Sequence, residues 1–426
     1  MPVSTRRAQA PRAGADFWTY WTGQTISTFG SSFTTVILPL LVFHLTRSSL
    51  DLAFTVAAAV LPYLLFGLVI GAGVDRTDRK RLMVLTDVAR AVVVASIPLM
   101  AATGHLTIWW IYGVAFLSAT LSIGFDAANF AAIPSLVDAD ALVRANGRIQ
   151  ASYSVARAVG PLAAGLLIAL APPAHLLLLD AASFLVSAGS FVLVHTRFNA
   201  ARPSSQAVTA GIGRDVAEGL QYVVRHPVVR SIALLLLLVN FVLPTVGAQL
   251  VYFAKGTLAA TDRQVGFLSA AAGAGTVLFA LAAQRLATRW SLGRLALSGL
   301  ALEGLATVMV ALAHAYWAAL ALWALRGGAD VLFVIGTYSL TQRLAPNELL
   351  GRVITFIRVL TWSTAAVGVV LGGLAIARLH SAVPVYVAIG LIVCTAALVF
   401  THTPLGHAER YPTDKSTLPT VPASDL

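Results

Sequence analysis

The chain has 426 residues, of which 58% are hydrophobic and 11% are charged, and its mean hydropathy is +0.81. Charged residues make up about a quarter of an ordinary soluble domain, so this composition excludes a soluble protein and indicates an integral membrane protein. The net charge of +11 would suit a nucleic-acid-binding protein, but most of the 29 Lys and Arg residues lie on one side of the predicted membrane. This asymmetry follows the positive-inside rule, so we expect no nucleic-acid partner.

Apolar runs long enough to cross a hydrocarbon core of about 30 Å recur along the chain. They lie near 18–46, 51–74, 82–103, 107–134, 147–171, 175–195, 229–254, 264–287, 293–313, 315–341, 349–377 and 382–401. An even number of spans places both termini on one side, which the positive loops identify as cytoplasmic. The sequence therefore predicts an all-α membrane protein with twelve transmembrane helices.

The spans fall into two halves that repeat each other. Gly147-Arg148, after span 4, recurs 204 residues later as Gly351-Arg352, after span 10. Parallel repeats of this kind build two pseudo-symmetric six-helix bundles with a pocket at the bilayer midplane. We expect a cytoplasmic tail (1–15), a first bundle (16–195), a linker with an amphipathic helix near 212–223 (196–228), a second bundle (229–402) and a disordered cytoplasmic tail (403–426).

A short charged loop separates spans 2 and 3. Six charges lie between Asp75 and Arg81, and a central Arg or Asp costs roughly 2.5 to 3.5 kcal/mol inside a membrane, so the loop must lie in water. The spacing resembles the loop between helices 2 and 3 of the major facilitator superfamily, and the residues that carry the resemblance are Gly71, Asp75, Arg76, Arg79 and Lys80. Gly73 and Asp78 depart from the usual pattern, and Asp78 is similar to the branch that contains enterobactin and macrolide exporters.

The resemblance implies a transporter that works by alternating access. It also implies that the loop is a conformational hinge in which Asp75 contacts the N-terminus of helix 11 when the cytoplasmic side is closed. An anion at a helix N-terminus gains about 0.3 to 1 kcal/mol at an exposed site, so the chemistry is reasonable independently of the family. A generic positive-inside loop is the alternative.

Span 5 contains a second family-like stretch, Val159-Gly160-Pro161-Leu-Ala-Ala164-Gly165, which resembles the G-P-x-x-G-G signature of exporters. Ala164 replaces the first Gly of its final pair. Small residues let helices approach closely and a proline bends a helix, so we interpret Gly160, Pro161 and Gly165 as a helix-packing motif. Ordinary close packing without a directional role is an equal alternative.

Ionisable residues inside membrane spans mark functional sites by default. The predicted spans contain Asp87, Arg90, Asp126, Arg157, Asp180, Glu303, Arg326, Asp330 and Arg358. Similar depth and short connecting loops predict two buried pairs, Asp126 with Arg157 and Asp330 with Arg358, for which a switch or binding role and a purely structural role both remain open. Many relatives carry an Asp after the Gly of span 1, where this chain has Ser31, so the other in-span acids become the candidates for proton coupling.

Polar residues also recur at helical spacing on spans 1, 4, 7 and 10, the four helices that line the cavity in this superfamily. The candidate cavity-lining residues are Gln24, Thr28, Ser31, Ser122, Asn240, Gln249, Tyr252 and Thr337. Hydrogen bonding between neighbouring helices is an equal alternative for such a stripe.

Taken together, the motifs predict a proton-coupled exporter of a bulky amphipathic small molecule, such as a drug, a macrolide-like metabolite or a siderophore. We expect a monomer in the inner membrane of a bacterium, with lipid, substrate and protons as its partners. A lipid flippase or nutrient importer of the same fold is one alternative, and a non-transporting receptor or assembly subunit is another. No Walker-type motif is present and Cys394 is the single cysteine, so we predict no enzymatic activity, cofactor or metal site.

Overall fold

The computed structural model describes residues 14–74, 77–138, 141–168, 170–196, 198, 220–287, 289–345 and 347–411. These residues form thirteen α-helices and one short 3-10 helix, with no strand among them. The first six helices are α1 (Ala15–Thr46), α2 (Ser49–Val74), α3 (Arg79–Ala102), α4 (Ile108–Leu136), α5 (Leu142–Leu167) and α6 (Pro173–Leu193). The others are α7 (Pro227–Ala248), α8 (Leu250–Gly256), α9 (Asp262–Ala287), α10 (Leu292–Ala311), α11 (Tyr316–Leu344), α12 (Asn347–Leu379), α13 (Val383–Thr401) and the 3-10 helix Ala408–Arg410.

The all-helical membrane fold that the sequence predicts is confirmed. Eleven helices in the described part of the chain are long and apolar enough to cross a membrane. The helix α5 is not among the eleven although it has 26 residues, because Arg144, Arg148 and Arg157 lower its hydropathy. The short helix α8 continues α7 after an irregular residue, Gln249. The exact number of twelve spans therefore stays a prediction.

Local side chains define where several helices begin. The Asp78 carboxylate accepts a hydrogen bond of 3.0 Å from the Arg81 N–H and caps the N-terminus of α3. Thr107 and Ser291 cap α4 and α10 in the same way, each accepting from the N–H three residues later. These caps satisfy donors that a helix start leaves unpaired. The departure of Asp78 from the family pattern thus has a local structural role.

The chain divides into two compact units. Unit 1 contains Met1–Leu45 and Ala58–Ser204. Within it, α3 packs against α4 and α6. One end of unit 1 has a dense aromatic core that includes Phe17, Tyr20 and Phe191, all with 0% exposure, and the Tyr20 hydroxyl donates a buried hydrogen bond of 2.6 Å to Asn129.

Unit 2 contains Thr46–Ala57 and Ser205–Leu426. Here α10 packs against α11 and α13, α9 packs against α11, and α7 packs against α12. The beginning of α2 belongs to this unit: the Ser49 hydroxyl donates to the carbonyl of Gly373 at 3.1 Å, and its own carbonyl accepts from the Gln249 side chain at 2.7 Å.

The folded part of the chain extends beyond the predicted boundary at residue 403. Leu405 is fully buried, Ala408 is 8% exposed, and the 3-10 helix follows. The start of the predicted disordered tail is therefore wrong by several residues, because apolar side chains after residue 403 pack against unit 2. Residues 412–426, the N-terminal segment 1–13 and most of the linker lie outside the described residues, as does most of the predicted amphipathic helix.

Candidate functional site

A partly buried arginine in unit 1, Arg90, lies near three carboxyl groups. The first is on the same helix: Asp87 and Arg90 are one turn apart on α3, and Arg90 Nη1 lies 3.4 Å from Asp87 Oδ1. The Asp87 side chain is 0% exposed and the Arg90 side chain 15%. The guanidinium of Arg90 also lies over the rings of Phe184 (4.0 Å) and Phe125 (5.5 Å), which hold it between α6 and α4.

The second carboxyl group, Asp180 on α6, is held by hydroxyl groups. Thr34 and Ser31 on α1 both donate to it, the Ser31 bond being 3.2 Å long, and Ser183 one turn along α6 donates at 3.4 Å. Asp180 is 2% exposed and interacts electrostatically with the Arg90 guanidinium. These contacts stabilise a charged or strongly polar group that would otherwise be costly at this depth.

The third carboxyl group, Asp126 on α4, is more exposed than the other two. It accepts a hydrogen bond from the Tyr63 hydroxyl of α2 and interacts electrostatically with the Arg90 guanidinium. The predicted pair of Asp126 with Arg157 is not formed in this structure: Arg157, exposed on α5, takes part in no ion pair with the described residues. Packing of α3 against α4 supplies Arg90 instead.

The chemistry of this Arg90 cluster follows from its charge balance. One guanidinium faces three carboxyl groups, two of them buried and the third, Asp126, exposed, so full ionisation would leave two net negative charges in the cluster. Both Asp87 Oδ2 and Arg90 Nε are buried without a hydrogen-bond partner among the described residues. Uptake of protons is the simplest way to reduce the excess negative charge, so the cluster can hold and release protons.

Unit 2 contains a comparable Glu303 cluster. Glu303 on α10 is 1% exposed, and its Oε1 lies 3.2 Å from Arg326 Nη2 on α11. Asp330, one turn beyond Arg326, acts electrostatically on Glu303, and the ring of Trp323 lies 5.2 Å from the guanidinium. The side chain of Arg358 lies outside the described residues, so its predicted pairing with Asp330 stays a prediction.

The candidate cavity-lining residues fall into two groups. Several make hydrogen bonds within a helix: Thr28 to Gln24, Ser122 to Ser118, Asn240 to Leu236 and Thr337 to Phe333. Others link helices of one unit: Gln24 donates to Ser187 at 2.7 Å, Ser31 donates to Asp180, and Gln249 donates to Ser49. The polar stripe therefore serves helix contacts at these positions, and a cavity role for the set, Tyr252 included, stays a prediction.

Two basic residues of the predicted hinge loop bind backbone carbonyls of other segments of unit 1. Lys80 Nζ donates to the carbonyls of Val194 (2.6 Å) and Val192 (3.4 Å) at the end of α6, and Arg79 donates to the carbonyls of Ala131 (3.4 Å) and Phe198 (3.3 Å). Cations at a helix C-terminus bind its unpaired carbonyls and oppose its dipole. Asp75, Arg76 and the side-chain environment of Gly71 lie outside the described residues, so the hinge role stays a prediction.

The predicted helix-packing motif of α5 lies at a close contact between α5 and α1. A Cβ on Gly160 would collide with the Ser32 side chain of α1, so the absence of a side chain permits this close approach. Pro161 and Gly165 are also buried within α5.

Sequence reasoning missed the residues that complete the Arg90 cluster. Tyr63, Thr34, Ser183, Ser187 and Phe184 all contribute to it, yet each is an ordinary residue of a membrane helix in the sequence. The available signal was the Asp87–Arg90 spacing of three, which already places both side chains on one helix face.

Comparison with known proteins agrees with this architecture. The family described as transmembrane secretion effector matches residues 7–424. The chain is 27% identical over 362 residues to the multidrug efflux pump Tap of Mycolicibacterium fortuitum, covering 81% of this chain and 85% of the pump. It is 30% identical over 154 residues to macrolide efflux protein A of Streptococcus pyogenes, covering 35% of this chain and 37% of that protein.

Solved structures show the same fold. A bacterial homologue of the human lysosomal transporter Spinster superposes with a TM-score of 0.73 at 14% identity, covering 93% of this chain and 98% of the homologue. The nucleoside transporter NupG gives a TM-score of 0.73 at 10% identity, covering 94% of this chain and 100% of that transporter. Family and fold are those of transporters rather than enzymes. The chain therefore belongs to the transmembrane secretion effector family of the major facilitator superfamily and is a multi-pass membrane transporter.

Proposed function

We propose that this transporter is a proton-coupled exporter of bulky amphipathic small molecules. The observation that carries the proposal is the Arg90 cluster, in which three carboxyl groups share one guanidinium within the helices of unit 1. Such a cluster can change its proton occupancy while its arginine stays charged. The likeness to two relatives named as efflux proteins supports the outward direction and the substrate class.

The cluster also couples charge to helix packing. Asp180 is bound by hydroxyl groups of α1, and Asp126 is bound by the hydroxyl of α2. A protonated carboxyl group donates a hydrogen bond that an ionised one cannot, so the contacts of α1 and α2 with the cluster depend on its proton occupancy. In alternating access, this dependence is how proton binding favours one conformation over another.

The proposed arrangement in the membrane follows the charge asymmetry. The eleven helices that hydropathy selects and α5 together make twelve spans, which place both termini in the cytoplasm of a bacterium.

The hinge residue Asp75 governs the balance between inward- and outward-open conformations rather than contact with the substrate. Asp75→Asn is expected to change the ratio of inward- to outward-open protein, measured by cysteine accessibility, and an unchanged ratio together with unchanged transport would contradict this role.

The decisive experiment is uphill transport by purified protein in proteoliposomes, with ethidium and a macrolide as separate probes. An imposed pH gradient should drive accumulation, and an uncoupler should abolish it. Asp87→Asn, Asp126→Asn and Asp180→Asn should each reduce uphill transport and leave downhill exchange measurable. Asp138→Asn is the matched control, because Asp138 is exposed in the connection after α4. Undiminished uphill transport with the uncoupler present and sodium absent would refute proton coupling.

A further inference from the structure

Four arginines of unit 2 converge on one cavity outside the helices' apolar segments. The cavity has a volume of about 670 Å³ and is lined by Arg289, Arg294, Arg343 and Arg410, together with Trp290 and Glu409. None of the four guanidinium groups takes part in an ion pair or side-chain hydrogen bond with the described residues. One carboxylate therefore faces four cations, and the cavity wall carries an excess of positive charge.

The topology explains why these residues meet. Arg289 follows the end of α9, Arg294 lies in the first turn of α10, and Arg343 lies in the last turn of α11. Since α9 ends where α10 begins, and α10 and α11 run in opposite directions, these three helix ends share one side of the unit. The N-terminus of α10, capped by Ser291, adds the positive end of a helix dipole to the cavity.

The segment after α13 forms the remaining wall. Leu405 is fully buried, and its carbonyl approaches the α10 N-terminus so closely that a Cβ on Gly293 would collide with it. This contact brings the 3-10 helix Ala408–Arg410, and with it Arg410, to the cavity. Tyr411, the next residue, has its ring centroid 6.5 Å from that of His226. Packing of the buried Leu405 on α10 therefore fixes the cavity wall, and the four arginines that line it are all exposed.

We propose that this cavity binds the phosphodiester headgroup of an anionic phospholipid. Arginine binds phosphate oxygens through paired N–H donors, and basic pockets at the ends of membrane helices suit anionic headgroups. Trp290 is 45% exposed beside the arginines, as expected for an indole at the membrane–water boundary. The lipid's acyl chains would remain in the bilayer next to α9 and α11 while its headgroup enters the cavity.

The test measures binding of dihexanoyl phosphatidylglycerol to the full chain in neutral detergent by calorimetry, with dihexanoyl phosphatidylcholine as the comparison lipid. The anionic lipid should bind more tightly. The double change Arg289→Gln with Arg410→Gln should weaken its binding about tenfold or more, because charge-assisted hydrogen bonds are lost. Arg289→Lys should weaken it less, since the charge remains and the paired geometry is lost.

Arg230→Gln is the matched control, because Arg230 is exposed in the first turn of α7 and does not line the cavity. Equal binding of the two lipids, or an equal loss in the Arg230 variant, would overturn the proposal. Competition by inorganic phosphate or glycerol phosphate at the same concentration as the lipid would also overturn it, by identifying a soluble phosphate compound as the ligand. Unfolding measurements without lipid identify any variant that fails to fold. Arg343→Gln, a change at an exposed position of the cavity wall, then replaces that variant in the binding experiment.

Discussion

The Glu303 cluster predicts an asymmetry between its two partners. Replacing Arg326 with Gln removes the ion-pair partner of Glu303, whose side chain is 1% exposed, whereas replacing Glu303 with Gln leaves an Arg326 side chain that is 14% exposed and keeps some contact with water. At the observed 3.2 Å separation, two unit charges attract by roughly 5 kcal/mol at an effective dielectric constant of 20. Stranding one member of such a pair typically costs about 3 to 5 kcal/mol.

We therefore expect Arg326→Gln to lower the free energy of unfolding by about 3 to 5 kcal/mol, and Glu303→Gln by clearly less. The double variant should be more stable than Arg326→Gln alone, because it leaves fewer uncompensated buried charges. The assay is equilibrium unfolding of purified protein in mixed micelles, arranged as a double-mutant cycle.

The pair of Lys255 with Asp262 provides a control within the same unit. These residues also form an ion pair, but the Asp262 side chain is 24% exposed, whereas the Glu303 side chain is 1% exposed. Lys255→Gln should therefore cost clearly less than Arg326→Gln, because the carboxylate that it leaves behind keeps contact with water. Equal losses from Arg326→Gln and Glu303→Gln, or additive losses in the cycle, would refute the reasoning about the unequal burial of the two partners.

Three further predictions concern packing and helix ends. Gly160→Ala should destabilise the protein by about 1 to 3 kcal/mol because its Cβ meets Ser32, whereas Gly113→Ala, which has open space, should not; equal unfolding midpoints would contradict this. Lys80→Gln should cost about 1 to 2 kcal/mol through loss of its bonds to the α6 carbonyls, and the exposed Arg81→Gln serves as the comparison in the same unfolding assay. His226 caps α7 through Nδ1, and burial lowers the pKa of its imidazole below the ordinary 6.5. The unfolded chain therefore binds more protons than the folded chain as pH drops through 6.5, so the free energy of unfolding should fall there. His226→Asn should remove this pH dependence, which is measured by equilibrium unfolding at a series of pH values.

Much of the candidate site was visible in the sequence as single residues. Asp87, Arg90, Asp126 and Asp180 stand out because a charge in an apolar run is costly and needs a reason. Their depth along each helix can also be estimated, since the rise per residue is constant. Which of them face each other cannot be estimated this way. Matched depth predicted Asp126 with Arg157, whereas the structure brings Asp126 near Arg90.

The sequence by itself determined the all-helical membrane fold, because long apolar runs are visible as hydropathy along one dimension. The tertiary structure decided the partners. Packing of α3 against both α4 and α6 brought three carboxyl groups to one arginine, and the return of the chain after α13 brought Arg410 to the cavity beside α10. Both arrangements depend on helix order and rotation, which are set by side-chain packing between distant segments and have no periodic signal in the chain.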